Sequence, residues 1–447
     1  MFSSLFMLVL LVLLITVFTR LGWWVSIWVC SVITEIVILM SYINVGVNNC
    51  SYGGVFNCDE ISCGMVWLSV MISGLSLLSS VSILAEEASE MKFLVCVLSL
   101  MGVLVICFSA DSLLVFYVFF EVSLIPTFLI ICGWGYQPER LRAGKFMILY
   151  TVGASLPLLA FVLYLMTLKG SVSLVFLGSC DVMMKDFFFF LMAIVAFLVK
   201  VPMYGLHMWL PKAHVEAPVA GSMLLAGVLL KLGGYGLARF MTFLSVCDTF
   251  GFTCVICLCI FGGTIGSMIC CFQTDIKSLV AYSSVGHMSL VLCGFMSGSL
   301  FGFVGAYLLM VSHGLSSPGM FYLVSEMYKL FGTRSLLIIH GMMGNLMGIN
   351  LWLAFMCGFN AAAPPSLSIC GEVVLYISLV GYSFLFSVLL GVMSFLSCLY
   401  SWFLYCSTQT GNYPVWVRSS KSVACFYFHG IICWCLSFPL VSLCVKM

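Results

Sequence analysis

Apolar runs of about 20 residues follow one another along almost the whole chain, separated by short polar or Gly- and Pro-containing stretches. A helix needs about 20 apolar residues to cross the hydrocarbon core of a bilayer. Because 63% of the residues are hydrophobic and only 7% are charged, the chain has too few polar groups for an aqueous globular surface. We therefore predict an all-α integral membrane protein without a soluble domain.

Hydropathy divides the sequence into roughly fourteen transmembrane helices. The predicted spans are 3–19, 22–44, 64–84, 93–109, 112–132, 143–168, 187–210, 219–240, 250–271, 278–297, 300–330, 342–376, 380–406 and 424–443. The loops and flanks on one side of this arrangement hold eleven Lys and Arg residues and those on the other side hold four. Since basic residues favour the inner side of a membrane, both termini are predicted on the outer, positive-potential side.

Composition also limits which ligands this chain is expected to bind. With 17 basic and 16 acidic residues, the net charge of +1 gives no electrostatic basis for binding nucleic acid. Most of the 23 cysteines lie inside apolar runs without histidine partners or ligand spacing, so we interpret them as buried small hydrophobic residues and predict no metal site.

Among the ionisable residues inside predicted spans, four are candidates for function: Glu121, Lys200, Lys231 and Glu372. Glu35, in the second span, is interpreted as a residue that extends toward an interface or faces a neighbouring subunit. An ionisable side chain at mid-membrane costs several kcal/mol, so a chain that retains one normally uses it. Two acids and two bases are the composition of a proton relay, in which a lysine releases its proton when its partner carboxylate moves away. The alternative is that Glu121 and one lysine form a neutralising pair that only fixes helix packing.

Four histidines could carry protons between these groups because their ordinary titration range is near neutral pH. His207 and His214 would lie near one helix face with Lys200 if that helix continued. His287 and His313 lie in the tenth and eleventh predicted spans. Taken alone, each histidine could equally be a buried packing residue. Taken together, as a set that lies between the lysines, the four histidines favour a role in proton transport.

Prolines stand beside two of the buried charges. Pro202 follows Lys200, and the pair Pro364-Pro365 precedes Glu372, so helices seven and twelve are predicted to be broken there. Broken helices at corresponding positions of two halves indicate an inverted repeat with its ion site at the midplane.

The repeat hypothesis divides a single membrane domain, 1–447, into four parts. These are N-terminal helices 1–90, a first repeat 91–240, an inverted second repeat 248–406, and a C-terminal loop with the last helix 407–447.

Several of these segments closely resemble the chain 4 family of mitochondrial NADH:ubiquinone oxidoreductase, an antiporter-like membrane subunit of respiratory complex I. They are 119–159 ("FFEVSLIPTF…"), 200–236 ("KVPMYGLHMWLPKAHVEAP…"), 273–291 ("QTDIKSLVAYSSVGHMSLV") and 363–372 ("APPSLSICGE"). The likeness extends over roughly residues 90 to 410.

The resemblance implies a membrane-arm subunit of the proton-pumping NADH:ubiquinone reductase, embedded in the mitochondrial inner membrane with both termini on the intermembrane-space side. It implies protons moved through buried Glu, Lys and His residues and driven by quinone reduction elsewhere in the complex. No redox cofactor is expected on this chain, whereas FMN, iron–sulfur clusters and ubiquinone are expected on other subunits. The expected partners are other membrane-arm subunits, including neighbouring antiporter-like chains, and membrane lipids.

The family pattern carries over onto particular positions. Its proton path corresponds to Glu121, Lys200, Lys231 and Glu372, with His287 and His313 where linking proton carriers are expected. A stand-alone cation/proton antiporter and a purely structural spacer in the membrane arm are the alternatives.

Overall fold

The chain forms a bundle of helices in the computed structural model, which describes residues 22–43, 50–52, 56–85, 89–178, 187–243, 249–342, 347–364 and 366–411. The predicted first and last spans, 3–19 and 424–443, lie outside the described residues, so the number fourteen stays a prediction. The predicted all-α membrane architecture is confirmed, apart from one pair of three-residue strands.

The elements are numbered here in chain order. They are α1 Gly22–Ile43, β1 Cys50–Tyr52, β2 Phe56–Cys58, α2 Glu60–Ser79, α3 Val81–Ala85, α4 Glu90–Ser109, α5 Leu113–Val122, α6 Leu124–Trp134, α7 Arg140–Lys169, α8 Leu174–Gly178, α9 Phe187–Lys200, α10 Trp209–Glu216, α11 Val219–Leu224, α12 Leu230–Met241, α13 Thr249–Cys271, α14 Ile276–Met296, α15 Leu300–Phe331, α16 Met347–Asn360, α17 Leu367–Tyr382 and α18 Phe386–Gln409. A π-helical turn, Leu225–Leu229, joins α11 to α12.

Nine helical segments of the described residues are long and apolar enough to cross a membrane. They are Glu60–Ser79, Glu90–Ser109, Leu113–Trp134, Arg140–Lys169, Val219–Met241, Gly251–Cys271, Ile276–Met296, Leu300–Phe331 and Phe386–Gln409. Two shorter apolar helices, α9 and α17, carry Lys200 and Glu372.

Burial differs sharply among these helices. The apolar stretch of Val219–Met241 is 100% buried, and that of Ile276–Met296 is 94% buried. The corresponding stretches of Arg140–Lys169 and Phe386–Gln409 are only 39% and 33% buried. The segments that carry Lys231 and His287 are therefore enclosed by protein. The outer faces of α7 and α18 expose apolar side chains such as Leu149, Val388 and Phe395, as helices that face lipid or another membrane subunit do.

Several predicted spans prove to be discontinuous. Span 112–132 contains a junction at Ser123, two residues after Glu121. Pro126 has no N–H to donate to the carbonyl of Val122, so the regular ladder is interrupted just before α6 continues. The preceding turn keeps its regular bond, since the Ser123 N–H donates to the Phe119 carbonyl at 3.0 Å, and the Ser123 hydroxyl donates to the Phe120 carbonyl at 2.7 Å.

The spans predicted at 187–210 and 342–376 are shorter in the structure. The first ends as a helix at Lys200, and turns lead to α10. The second is two helices, α16 and α17. Ala362 has a left-handed φ of 53°, and a residue in that conformation cannot continue an α-helix.

The described residues divide into two compact units. Unit 1 contains the described residues up to position 200 together with 216–251, and unit 2 contains 201–215 and the described residues from 252 onward. In unit 1 the antiparallel pair β1–β2 lies at the end of the unit where α4 ends, because Phe56 bridges to Ala110.

Candidate proton-carrying sites

Lys200 is the last residue of α9 and is buried at 3% exposure. Its Nζ donates a hydrogen bond to the carbonyl of Phe120 at 3.0 Å and lies 3.4 Å from the centroid of the Phe120 ring. The ammonium group is thus held by a carbonyl dipole and an aromatic face, which are both favourable for a cation.

Glu121 follows Phe120 and lies at the C-terminal end of α5, partly buried. Its Oε1 is buried and accepts no hydrogen bond from the protein. The charges of Glu121 and Lys200 interact, although these two side chains form no direct ion pair. The carboxylate is therefore close enough to influence Lys200 without neutralising it through contact.

Lys231 is completely buried in α12, directly after the π-helical turn. Its Nζ donates to the carbonyl of Ala226, which lies inside that turn. A π-turn displaces backbone carbonyls from the regular i to i+4 ladder, which is why such turns recur at functional positions. The sequence showed the buried lysine, but not the carbonyl that holds it.

In unit 2, Glu372 faces His287. The two side chains are 7% and 6% exposed, and Oε1 of Glu372 lies 3.5 Å from Nδ1 of His287. On the other side of the ring, the Tyr400 hydroxyl lies 3.2 Å from Nε2 of His287. The imidazole therefore has a carboxylate at one nitrogen and a hydroxyl at the other, the arrangement of a group that can pass a proton through its ring.

His313 extends this cluster. Its ring centroid lies 5.7 Å from that of His287, and the Ser317 hydroxyl is 3.5 Å from its Nδ1. On the opposite side, the Tyr376 hydroxyl lies 3.5 Å from Oε2 of Glu372. Unit 2 thus contains a buried polar cluster of Glu372, His287, His313 and two tyrosines.

The other two histidines predicted to carry protons, His207 and His214, pack differently. His207 lies in the turns between α9 and α10, stacks on Tyr204 with centroids 5.0 Å apart, and accepts the N–H of Gly205 at Nδ1 over 3.2 Å. His214 lies in α10 and stacks on Phe321 at 4.7 Å with an interplanar angle of 3°. Because α9 ends at Lys200, the continuous helix that would align these rings with Lys200 does not form.

The structure thus brings the eight predicted residues together in part. Lys200 meets the backbone next to Glu121, and His287 meets Glu372 and His313. Lys231 contacts the Ala226 carbonyl, His207 stacks on Tyr204 and His214 stacks on Phe321. Sequence reasoning missed Tyr376 and Tyr400. Tyr376 could have been found, since it lies one helical turn after Glu372 on the same face. Tyr400 is 113 residues from His287, and no sequence signal joins them.

A search for metal sites found no cluster of three or more His, Cys, Asp or Glu side chains suited to a metal ion in the portion of the chain that the structure describes. The buried lysine, glutamate and histidine side chains lie among apolar residues, and three of them, Glu372, His287 and His313, form one cluster. Such an arrangement can hold and transfer protons, because lysine, histidine and glutamate each have a protonated and a deprotonated form.

Comparison with known proteins gives consistent matches over nearly the whole chain. Residues 110–397 match the family described as NADH:quinone oxidoreductase/Mrp antiporter, TM, and residues 1–107 match the amino terminus of NADH-ubiquinone oxidoreductase chain 4. NADH-ubiquinone oxidoreductase chain 4 from Ceratitis capitata is 44% identical over 85% of this chain and 84% of its own length. The chain 4 proteins of Locusta migratoria and Mytilus edulis are each 41% identical, over 88% and 87% of this chain and 87% and 88% of their own lengths.

Solved structures share the fold at lower identity. A chain of respiratory complex I from Thermus thermophilus with bound NADH aligns over 97% of this chain and 94% of that chain, with a TM-score of 0.83 and 24% identity. A chain of the membrane-bound sulfane sulfur reductase, an archaeal respiratory membrane complex, aligns over 97% of this chain and 74% of that chain, with a TM-score of 0.85 and 17% identity.

This fold is that of an antiporter-like membrane protein. It has broken helices and buried lysine, glutamate and histidine side chains. Within that class, the chain belongs to the NADH-ubiquinone oxidoreductase chain 4 family.

Proposed function

We propose that this chain is a proton-translocating membrane-arm subunit of NADH:ubiquinone oxidoreductase, driven by quinone reduction elsewhere in the complex. The observation that carries the proposal is the presence of buried, separately held ionisable side chains in both units of a chain of this family. The chain acts as one subunit of a proton-pumping enzyme.

In unit 1, the proposed gate is the separation of Glu121 and Lys200. The Phe120 carbonyl holds the Lys200 ammonium while the carboxylate stabilises its charge from nearby. When the carboxylate moves away, the buried cation loses this stabilisation and releases its proton. A gate is required because moving one charge against about 100 mV costs roughly 2.3 kcal/mol, and an ungated wire would dissipate that gradient.

In unit 2, Glu372 and His287 form the corresponding pair. A proton that reaches His287 stabilises the Glu372 carboxylate opposite it, and Tyr400 fixes the ring orientation. His313 lies beside His287 and is the proposed preceding carrier in the unit.

We further propose that residues 91–240 and 248–406 are inverted repeats within one membrane domain, with helices seven and twelve broken at their prolines. A parallel between the units supports this. Lys200 on α9 meets the backbone beside Glu121 on α5, and Glu372 on α17 meets His287 on α14, so the fifth and seventh predicted spans meet in one unit and the tenth and twelfth in the other.

The complete proposed path consists of all eight residues. These are Glu121, Lys200, Lys231, Glu372, His207, His214, His287 and His313.

The remaining assignments follow from membership of the complex. The chain is proposed to lie in the mitochondrial inner membrane with both termini on the intermembrane-space side. The exposed apolar faces of α7 and α18 are proposed to contact neighbouring antiporter-like chains and lipids. FMN, iron–sulfur clusters and ubiquinone are proposed to lie on other subunits.

Replacing Glu121 with Gln tests the function. The intact complex carrying Glu121→Gln is expected to assemble and to oxidise NADH with fewer protons moved per electron, because an amide cannot stabilise the Lys200 charge. Protons and electrons are measured together in sealed vesicles. A normal ratio in an assembled complex would show that Glu121 has no role in transport.

A stand-alone cation/proton antiporter is the second candidate, since the matched family description includes Mrp antiporters. It predicts cation-driven proton exchange by the chain without the rest of the complex. Comigration of the chain with flavin-containing complex I on a native gel favours the first function. A structural spacer, in contrast, would tolerate neutral substitutions at both Lys200 and Lys231.

A further inference from the structure

Phe120 contacts the ammonium group of Lys200 in two different ways. Its backbone carbonyl accepts a hydrogen bond from Nζ at 3.0 Å, and Nζ also lies 3.4 Å from the centroid of its ring. Both residues are buried, so the two contacts act at a lower dielectric constant than that of water and are stronger for it. One residue thus supplies two separate interactions to a proposed proton carrier.

The two contacts respond differently to the protonation state of Lys200. The carbonyl can accept a hydrogen bond from either form of the lysine, although the bond to the charged form is stronger. The face of an aromatic ring attracts a cation through its quadrupole, and this attraction is lost when the amine is neutral. The ring is therefore the part of Phe120 that depends most on the charge of Lys200.

Other aromatic side chains fix the Phe120 ring in this position. The Phe197 ring, on the same helix as Lys200, packs edge-on against it with centroids 6.0 Å apart, and the Phe116 ring lies at 5.7 Å. Among the described aromatic rings, the Phe120 ring is the one that lies over the ammonium group. The neighbouring rings therefore contribute packing, and Phe120 contributes the contact with the charge.

The Phe120 carbonyl also has a second donor. The hydroxyl of Ser123, which is fully buried at the junction of α5 and α6, donates to the same oxygen at 2.7 Å. A carbonyl oxygen has two lone pairs, so Lys200 and Ser123 share it. Because the hydroxyl keeps this buried oxygen bonded, less is lost when Lys200 becomes neutral and its own bond weakens. Ser123 thus favours release of the proton, whereas the ring favours its retention.

We propose that Phe120 and Ser123 are positioning residues that together set how firmly Lys200 holds its proton. The aromatic face of Phe120 stabilises the charged form, and the Ser123 hydroxyl eases release by keeping the Phe120 carbonyl bonded. The inference deepens the proposed proton-transport function, on which it rests, by adding two uncharged residues to the Glu121 gate. Neither residue carries the proton itself.

The test measures the proton-to-electron ratio of the intact complex in sealed vesicles over a series of pH values. Because the quantity is a ratio, effects of pH on NADH oxidation itself cancel. A lysine that has lost its proton cannot pass one on, so the ratio falls at high pH. The titratable side chains that act on Lys200 are Glu121 on α5 and Cys107 on α4, and both stay unchanged in the Phe120 and Ser123 variants.

In Phe120→Leu the charged form of Lys200 loses the ring. The fall should therefore begin about one pH unit lower than in the wild type, since a desolvated cation–π contact corresponds to roughly a tenfold change in protonation. Phe116→Leu is the matched control, because this residue lies one turn earlier on α5, is 3% exposed and belongs to the same aromatic cluster. Its profile should remain at the wild-type position.

Ser123→Ala should move the profile in the opposite direction. Without the hydroxyl, the Phe120 carbonyl depends on Lys200 alone, so the lysine keeps its proton longer and the fall begins at higher pH, by about half a pH unit. Loosened packing would instead lower the ratio at every pH without displacing the profile. Equal profiles in Phe120→Leu and Phe116→Leu, or a shift of Ser123→Ala to lower pH, would overturn the proposal.

If Phe120→Leu does not assemble, Phe120→Met provides a flexible apolar side chain without an aromatic face, and the same shift is expected. An unshifted profile in this variant would overturn the role of the ring. Failure of this proposal and failure of the transport function give different results. A normal ratio in Glu121→Gln contradicts the transport role, whereas a lowered ratio in Glu121→Gln with unshifted Phe120 profiles contradicts only the role of Phe120.

Discussion

At the scale of single residues, the buried cations are held mainly by backbone carbonyls. Lys200 donates to the Phe120 carbonyl and Lys231 donates to the Ala226 carbonyl, whereas His287 meets the carboxyl group of Glu372 directly. A carbonyl stabilises the ammonium form without trapping it in a permanent ion pair. This is the physical condition for a group that must both take up and release a proton.

Replacing Glu372 with Gln removes the charge opposite His287 while keeping the side-chain size. Proton transfer should slow by roughly 10²-fold or more, since a positioned acid or base contributes roughly 10²–10⁴-fold. Proton pumping per NADH oxidised in vesicles measures this loss. Glu326→Gln is the matched control: that carboxylate is also buried but pairs with Lys329 at 2.7 Å, and its loss should leave pumping normal.

Tyr400→Phe tests whether the hydroxyl orients His287. The phenyl ring keeps the packing of a side chain that is 1% exposed, but the contact to Nε2 is lost. A hydrogen bond contributes about 1 kcal/mol, so the pumping rate should fall a few-fold with assembly intact. Tyr405→Phe on the same helix provides the comparison, and equal rates in the two variants would remove Tyr400 from the site.

At the scale of elements, every residue of the predicted acid–base set lies beside an irregularity in its helix. Glu121 precedes the junction at Ser123, Lys200 ends α9, Lys231 follows the π-turn, and Glu372 lies in the helix that begins after the break at Ala362. Irregular backbone at membrane depth requires other polar partners for its carbonyls. For the carbonyls of Phe120 and Ala226, the partner is the ammonium group of Lys200 and of Lys231, respectively.

Close packing of α17 against α15 positions Glu372. A methyl group added to Gly371 on α17 would lie 2.9 Å from the backbone nitrogen of Leu309 on α15, and a backbone atom cannot yield as a side chain can. Gly371→Ala should therefore shift α17 together with Glu372, cost about 1–3 kcal/mol, and lower pumping. Thermal stability and vesicle pumping of the complex report these effects.

Gly381→Ala is the control on the same helix. A methyl group there meets nothing within 4 Å, and alanine favours a helix by about 0.5–1 kcal/mol over glycine. We expect equal or higher stability and unchanged pumping. If the two alanine variants behave alike, the approach of α17 to α15 does not determine the position of Glu372.

At the scale of the whole molecule, the two units each contain one acid–base site, and the proposed path uses both in series. A single series path makes a specific prediction for combined variants. Glu121→Gln and Glu372→Gln together should lose little more pumping than the more severe of the two alone, because a path already blocked cannot be blocked again. Additive losses, measured as protons per electron, would instead indicate two parallel paths.

The sequence predicted the main helices well, because long apolar runs have one stable solution in hydrocarbon. Its errors were local. The spans predicted at 187–210 and 342–376 were too long, since hydropathy counts apolar residues and is insensitive to the backbone angles that end a helix at Lys200 or Ala362. The π-turn was missed for the same reason, as residues 225–229 read as ordinary helix.

The candidate residues could be identified in the sequence because a charged residue among apolar residues is conspicuous. The residues that contact them could not be identified in the same way. Nothing in the sequence marks Phe120 or Tyr400. Each is joined to its ionisable partner by a contact over a long separation, 80 residues for Phe120 with Lys200 and 113 for Tyr400 with His287.

The sequence by itself determined that this protein spans a membrane and which of its side chains are expensive to bury there. Both follow from transfer free energies, which depend on residue type and run length alone. Only the tertiary structure decided which acid faces which base and which carbonyl holds each lysine. Those features depend on distances of a few ångströms between separate helices, which are set by packing and by the irregular turns that free backbone groups.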